Sequence, residues 1–266
     1  MADYNKIGNN YNSNRHADPR IINRLIELIN IPKESLIADI GAGTGNYTNE
    51  LANYGFQIDA VEPSKLMINQ AKKHFNIRWH EISVENMKLQ KNSYDGVVST
   101  LAVHHFNSID ISLFNIYEIL KENSNLVIFG ADPRKIGKEC WFREYFRYFI
   151  DKAIDSYVEV FELISKLESI FKTKVEYVPF KIPFDITDGF FYAGWQQPEK
   201  YLDENFRQSI SVFAKSTKES VSKSIIKLKM DLENGKWDEK FGHIRNQKEY
   251  NGGYYFLKVK KASNTL

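Results

Sequence analysis

The chain has 266 residues, of which 42% are apolar and 26% charged, with a formal net charge of +2. That length suits one large domain. The near balance of charge excludes a global basic field for nucleic acid or an anionic membrane. The single cysteine, Cys140, excludes an internal disulfide and fits a reducing compartment, so the expected localisation is cytoplasmic.

The polar stretch MADYNKIGNNYNSNRHADPR (1–20) lacks the apolar segment of a signal peptide, and none is expected. No run approaches the roughly 18 apolar residues of a membrane helix. Asp18 and Pro19 read as an N-cap and first helical residue, opening a helix with Ile22, Leu25, Ile26 and Ile29 on one face. SLIADI (35–40) reads as a buried strand, and the helix after it runs from 46 to 54 and stops at Gly55. FQIDAVE (56–62) is the second strand. Ser64 then caps a helix with Leu66, Met67, Ala71 and Phe75 facing inward. Strands follow at 77–82, 94–101 and 125–132, with an amphipathic helix at 108–121.

Alternating strands and helices, with strands apolar on both sides, predict an α/β fold with a parallel sheet covered on both faces. Past residue 133 the pattern changes. An aromatic helical segment spans 138–171, a strand 174–182, and helical segments lie near 198–215 and 217–234, the second ended by Gly235; 252–260 reads as a last strand.

The stretch IADIGAGTGNYT (37–48) sets Gly41, Gly43 and Gly45 at alternate positions just after Asp39. A turn at the end of the first strand of a doubly wound sheet is where nucleotide ligands bind, and bare glycine backbone lets them approach. The NAD fingerprint needs glycine at 46, which is Asn46, and a phosphate-binding loop needs a lysine that is missing. Residues 36–50 carry no Lys or Arg, which disfavours a pyrophosphate and favours a cofactor with an adenosine and a positive centre, such as S-adenosylmethionine. Glu62 ends the second strand, the place of the acid that bonds ribose hydroxyls. Its alternative role is a helix-dipole charge for the helix starting near Ser64.

The segments DIGAGTG, VEPS and NSYDGVVSTLAVHHF resemble, in motif and order, the class I S-adenosylmethionine-dependent methyltransferases. YNSNRHADPRI, PEKYLDENFRQSISVFA and DLENGKWDEKFG extend the likeness to a branch of small-molecule methyltransferases without assigned substrates. The resemblance implies a Rossmann-like, doubly wound, mostly parallel sheet with an antiparallel last strand and a helical aromatic-rich cap. It implies one domain over 1–266: a cofactor core with an N-terminal lid in 1–134, acceptor-side helices and cap in 135–251 with a strand near 174–182, and the last strand at 252–260.

Carried over by position, the family pattern makes Asp39 the acid that orders the glycine loop near the methionine amino group. Gly41, Ala42, Gly43 and Gly45 pack against methionine and ribose, and Glu62 bonds the ribose, with Pro63, Ser64 and Met67 beside the adenine. Ser83, Val84 and Glu85 meet the adenine edge, Ser83 standing where the family usually has Asp. Thr100, Leu101 and Ala102 line the methyl-donor side. Tyr11 and Arg15 form a lid element, with Arg15 reaching the methionine carboxylate.

The sulfonium is already a strong methyl donor, so the protein mainly aligns the acceptor and excludes water. His104 and His105 end the fourth strand on the acceptor side. His105 is the candidate general base, with a loop-shaping histidine as the alternative. The histidine spacings hold no metal motif, so no metal is expected. Trp141, Tyr145, Phe191, Tyr192 and Trp195 read either as a wall for a flat or apolar acceptor or as plain core. The expected function is methyl transfer to an O, N or C atom of a small, aromatic or apolar metabolite, by a monomer or homodimer. An RNA methyltransferase would call for a basic stripe that the composition lacks. A non-catalytic cofactor-binding protein is the other alternative.

Overall fold

The computed structural model describes residues 15–137 and 140–263. Tyr11 lies outside them. Seven strands make one sheet: β1 (Leu36–Ile40), β2 (Gln57–Val61), β3 (Ile77–His80), β4 (Tyr94–Thr100), β5 (Leu120–Ala131), β6 (Glu176–Pro183) and β7 (Glu249–Lys260). Their order is β3-β2-β1-β4-β5-β7-β6. The first five run parallel, and β7 is antiparallel to both β5 and β6. The chain winds outward from β1 to β3, then returns to place β4 against the other side of β1. The strand order therefore reverses between β1 and β4, and a crevice opens beyond their carboxyl ends.

Local chemistry sets the helix starts. α1 (Pro19–Ile29) is capped by Asp18, whose carboxylate accepts from the Arg20 N–H at 2.9 Å, a cap worth about 1 kcal/mol. α2 (Asn46–Tyr54) leaves the glycine loop directly, with Gly45 at its N-cap and Gly55 at its end. α3 (Lys65–Asn69) is capped by the Ser64 hydroxyl. α4 (Ile109–Ile119) and α6 (Val160–Phe171) cover one face of the sheet. α1, α2 and an aromatic cap cover the other. The cap contains α5 (Trp141–Ile154), α7 (Glu204–Gln208), α8 (Ser211–Ala214), α9 (Lys218–Glu233) and α10 (Lys236–Phe241).

Three expectations are corrected. The helix after Ser64 ends at Asn69, so Ala71 lies beyond it and Phe75 is 92% exposed rather than inward. The sheet ladder already reaches Asn76, whose carbonyl accepts from the Ile58 N–H at 2.8 Å, and the chain must leave the helix early to get there. The segment 138–171 is two helices. Asp132 and Arg134 hold the junction: the Asp132 carboxylate accepts from the Val160 N–H, and the Arg134 guanidinium donates to the carbonyls of Ile154 and Tyr157. The segment 198–215 breaks into a 3-10 turn (Pro198–Leu202), α7 and α8, because Asp203 caps a new helix start through the Asn205 N–H at 2.9 Å. Gly235 does close α9, following its C-cap Asn234, and with a left-handed φ of 79° it also caps α10.

Candidate active site

A cavity of about 550 Å³ sits where the strand order reverses. Its floor comes from residues that follow β1, β2 and β4, and its far wall comes from the cap. The glycine loop is pinned to β2, with the N–H groups of Gly41 and Ala42 both donating to the Val61 carbonyl, at 2.9 and 3.1 Å. The three glycines meet different needs. All have left-handed φ, which side chains disfavour by about 1–2 kcal/mol. A Cβ on Gly41 would lie 2.4 Å from the Cβ of Ala102, and one on Gly45 would lie 2.9 Å from the Trp79 ring. Gly43 has more room, its nearest neighbour being the Met67 methyl at 3.7 Å. Gly41 and Gly45 are thus bare because the protein packs against them, while Gly43 leaves space at the cavity.

Glu62 is 6% exposed and straddles the loop and α3. One carboxylate oxygen accepts from the Gly43 N–H at 3.0 Å and the other from the Ser64 N–H at 2.8 Å. Each oxygen keeps a lone pair for a further donor. Burial raises this carboxyl above its ordinary value, against the pull of the two backbone bonds. Asp39 is buried at the end of β1. Its Oδ2 accepts from the Thr48 hydroxyl at 2.6 Å, while Oδ1 is buried with no partner among the described residues. Burial above all, with the Thr48 bond opposing and the Glu62 charge adding, pushes its carboxyl up to about 6. The Thr100 hydroxyl is likewise buried without a partner among the described residues. Such atoms cost about 1–3 kcal/mol unless something meets them. An ammonium-bearing ligand beside Asp39, with ribose hydroxyls at Glu62, would supply the missing bonds, so these residues fit S-adenosylmethionine.

Pro63, Met67, Ser83, Val84, Thr100, Leu101 and Ala102 line the same cavity. Leu101 holds a left-handed φ of 53° while its N–H donates to the Phe129 carbonyl at 2.7 Å. Strain of this kind at a non-glycine residue gathers at functional sites. Ser64 and Gly45 support the wall from behind, outside the lining. Glu85 also lines the cavity, but one of its carboxylate oxygens accepts from the N–H groups of Asn107 and Ser108 and from the Ser112 hydroxyl, so it caps α4 from a distance.

Arg15 lines the cavity as expected, yet its guanidinium grips the Asp188 carboxylate through two nitrogens. The Tyr47 hydroxyl donates to the same carboxylate at 2.9 Å. Asp188 was not legible as a site residue, lying in a loop with no motif around it; Tyr47 stands just past the glycines on α2, and the glycine motif gives no sign of its bond to Asp188.

His104 and His105 both face the cavity. The His104 ring stacks on Tyr157, with centroids 4.1 Å apart, and its Nε2 is 3.2 Å from the Tyr157 hydroxyl. Burial, then the charges of Lys215 and Arg15, push His104 down to about 3. Burial, His104 and the same cations push His105 well below its ordinary value. Both rings are neutral at pH 7.

The aromatic candidates separate. Phe191 and Tyr192 line the cavity. Trp141, Tyr145 and Trp195 do not; they belong to the cap core, where the Trp141 indole N–H donates to the Trp195 carbonyl at 2.8 Å. The physical reason is size: both indoles are 0% exposed inside a cluster of rings that includes Phe142 and Tyr201. Phe106, Phe149, Tyr157, Phe190 and Tyr254 also line the cavity. Among the described residues, no group of three or more His, Cys, Asp or Glu is placed to hold a metal ion. Among them also, no helix is long and apolar enough to cross a membrane.

Fold and cavity together define a Rossmann-like protein with a nucleotide-type site at its switch point and an aromatic pocket beside it. The methyltransferase domain family matches residues 38–128. An uncharacterized methyltransferase of Alkaliphilus oremlandii is 30% identical over 177 residues, covering 64% of this chain and 72% of that protein. A Dictyostelium discoideum protein described as a methyltransferase is 33% identical over 104 residues, and the match spans 39% of each chain. A crystal structure from Anabaena variabilis, described as a methyltransferase from an antibiotic biosynthesis pathway, superimposes with a TM-score of 0.90 at 38% identity, covering 93% of this chain and 99% of that one. The chain belongs to the class I S-adenosylmethionine-dependent methyltransferase superfamily.

Proposed function

We propose that the chain transfers a methyl group from S-adenosylmethionine to an O, N or C atom of a small metabolite with an aromatic or apolar body. The observation that carries this is one continuous cavity. At one end lie Asp39 and Glu62, and at the other the aromatic wall of Phe149, Phe191, Tyr192 and Tyr254. When bound, the cofactor supplies a methyl group on a positive sulfur that leaves as a neutral thioether, while the acceptor forms the new bond and gives up a proton where it has one to lose.

The chain's own residues divide the remaining work. Asp39 and Glu62 fix the cofactor's amino group and ribose. Ser83 and the Val84 backbone meet the adenine edge, and Thr100 to Ala102 line the donor side. Phe191 and Tyr192 hold the acceptor and keep water away, which strengthens every polar contact in the site. His105, neutral at pH 7, is positioned to take a proton from the acceptor; burial first, then His104, Lys215 and Arg15, make it a weak base. Residues up to 134 act as the cofactor core, with Arg15 at its cavity wall, and 135–251 act as the acceptor cap. The Anabaena relative's pathway, antibiotic biosynthesis, supports a small-molecule acceptor.

The deciding experiment incubates the protein and methyl-labelled S-adenosylmethionine with metabolite extracts. Labelled product in the small-molecule fraction is expected. Label appearing only in RNA, or cofactor binding with no transfer to any fraction, would overturn the reading.

A further inference from the structure

One hydroxyl in the cavity wall is not claimed by the protein itself. Tyr254 lies on β7 opposite Ala131, at the end of β5, and both line the cavity. Side chains alternate along a strand. Tyr255 accordingly packs into the core beneath α4 and α6, while Tyr254 and Phe256 face the cap. A bulge sets Tyr254 at the rim. Phe180 pairs with Tyr254 and Ile182 with Tyr250, so Lys181 alone stands opposite Asn251, Gly252 and Gly253. Gly253 has a left-handed φ of 77°, and its carbonyl accepts from the Asp132 N–H at 2.9 Å. A Cβ there would lie 2.4 Å from the Asp132 carbonyl oxygen, and one on Gly252 would lie 2.6 Å from the Ile182 side chain. Bulges of this kind re-aim a side chain beside a site.

The Tyr254 ring is held on several sides. Its centre lies 4.4 Å from that of Phe190 and 5.8 Å from that of Phe129, and Tyr192 stands nearly perpendicular to it at 6.2 Å. Those contacts would serve a phenylalanine equally well. The residue is 5% exposed, yet its hydroxyl has no hydrogen-bond partner among the described residues. Nor is that oxygen sealed in the core, so the surface it keeps opens on the cavity. Asp188 is not its partner, since Arg15 holds both carboxylate oxygens and Tyr47 donates to one of them. Burial above all holds the phenol well above its ordinary value, while Arg15 and Asp188 act on it with opposite signs. The O–H therefore stays protonated and able to donate. A hydroxyl so far from bulk water costs stability unless something meets it.

We propose that the Tyr254 hydroxyl donates a hydrogen bond to a carbonyl or hydroxyl oxygen of the acceptor, and so selects acceptors that carry one. This deepens the methyltransferase reading and rests on it. β4 and β5 stand between β7 and β1, so the bond falls on the acceptor side of the cavity rather than at Asp39. The apolar rings around Tyr254 sort acceptors by shape alone. A buried group built to pair with an oxygen rejects the analogue that lacks it more strongly, because the group is then left unpaired.

The test is calorimetry with acetophenone and 2-phenylpropene, a pair of like shape in which a CH₂ group replaces the carbonyl oxygen. Each is titrated with and without saturating S-adenosylhomocysteine, against the wild type, Tyr254→Phe and, as a control on the opposite face of β7, Tyr255→Phe. The readout is the ratio of the two affinities, which cancels the difference in apolarity between the probes. Tyr254→Phe should lower the ratio of acetophenone to 2-phenylpropene affinity by about threefold to tenfold, the worth of one neutral hydrogen bond. Tyr255→Phe should leave it unchanged. The Tyr254→Phe protein should melt no lower than the wild type and bind S-adenosylhomocysteine equally well. A ratio that survives Tyr254→Phe, an equal fall in Tyr255→Phe, or no binding of either probe overturns the proposal. So does weaker binding of S-adenosylhomocysteine by Tyr254→Phe, which would give the hydroxyl to the cofactor. Failure of S-adenosylhomocysteine to bind the wild type strikes the methyltransferase reading instead, and the titrations without it still decide the role of Tyr254.

Discussion

Arg15 and Asp188 are 173 positions apart in the chain and meet as a two-pronged ion pair at the cavity wall. Asp188 is 1% exposed, and the Tyr47 hydroxyl is its third donor. One carboxylate thus ties the segment before α1, the helix after the glycine loop, and the cap. It also occupies the guanidinium that the family pattern aims at the methionine carboxylate, so any contact of Arg15 with the cofactor is made by a side chain already held in place.

Breaking a buried pair from one side leaves a buried charge and costs about 3–5 kcal/mol. Asp188→Ala should therefore lower the melting temperature sharply. Asp188→Asn, which keeps an acceptor for Tyr47, should lose less. Thermal melts of both variants check this, and a melt of Asp188→Ala that matches the wild type would remove the pair from the stability account.

Glu62 accepts from two backbone N–H groups and has lone pairs left for ribose hydroxyls. Glu62→Gln keeps the shape and surrenders the charge. It should weaken S-adenosylhomocysteine binding by about 1.5–3 kcal/mol, the worth of hydrogen bonds to a charged group. Calorimetry reads this directly, and an unchanged dissociation constant would move Glu62 to a purely structural role in the loop.

Asp39 gives a pH signature. Burial first, with Glu62 adding, raises its carboxyl from 3.8 to about 6. Between those values the folded chain holds a proton that the unfolded chain has lost. Its stability contribution accordingly falls as pH rises through that window, by about 1.4 kcal/mol per unit. Asp39→Asn removes this slope. The stability of the variant relative to the wild type should rise between pH 4.5 and 6 and then level off, as read by denaturant melts without cofactor. A difference that is constant across that range would contradict the assignment.

The buried indoles separate core from acceptor wall. Trp141→Ala and Trp195→Ala should each cost about 3–5 kcal/mol of stability, as truncations of large core rings do. Phe191→Ala, at the cavity, should raise KM for the acceptor with a smaller loss of melting temperature. A Trp195→Ala protein that melts normally but fails to bind acceptor would return that ring to the wall.

The two histidines are already neutral at pH 7, so neither should appear as an ionisation in the pH–rate profile between pH 6 and 8. His105→Ala should lower kcat by about 10²-fold, the low end for general-base catalysis, since a base of low proton affinity takes up little of the proton. Its affinity for S-adenosylhomocysteine should hold. Loss of rate together with loss of cofactor affinity would make His105 a loop-shaping residue.

What the sequence determined by itself was local or periodic. The apolar runs at 35–40 and 94–101 could only be buried strands. The glycines after Asp39 marked the loop, and Glu62 marked the end of the next strand. These features are encoded within a few residues of one another, because a strand, a turn and a cap are each decided by neighbouring side chains and backbone torsions. Tertiary structure alone decided which aromatics face the cavity. Phe191 and Tyr192 reach it while Trp141 and Trp195 do not, though all four have the same apolar character in sequence. It also decided the break at 155–159, fixed by Asp132 and Arg134 from the end of β5. It brought Arg15 to Asp188, and Lys152 to the same cavity as Lys215. Contacts between residues so far apart in the chain leave no periodicity to read, because their partners are chosen by how the cap folds back over the sheet.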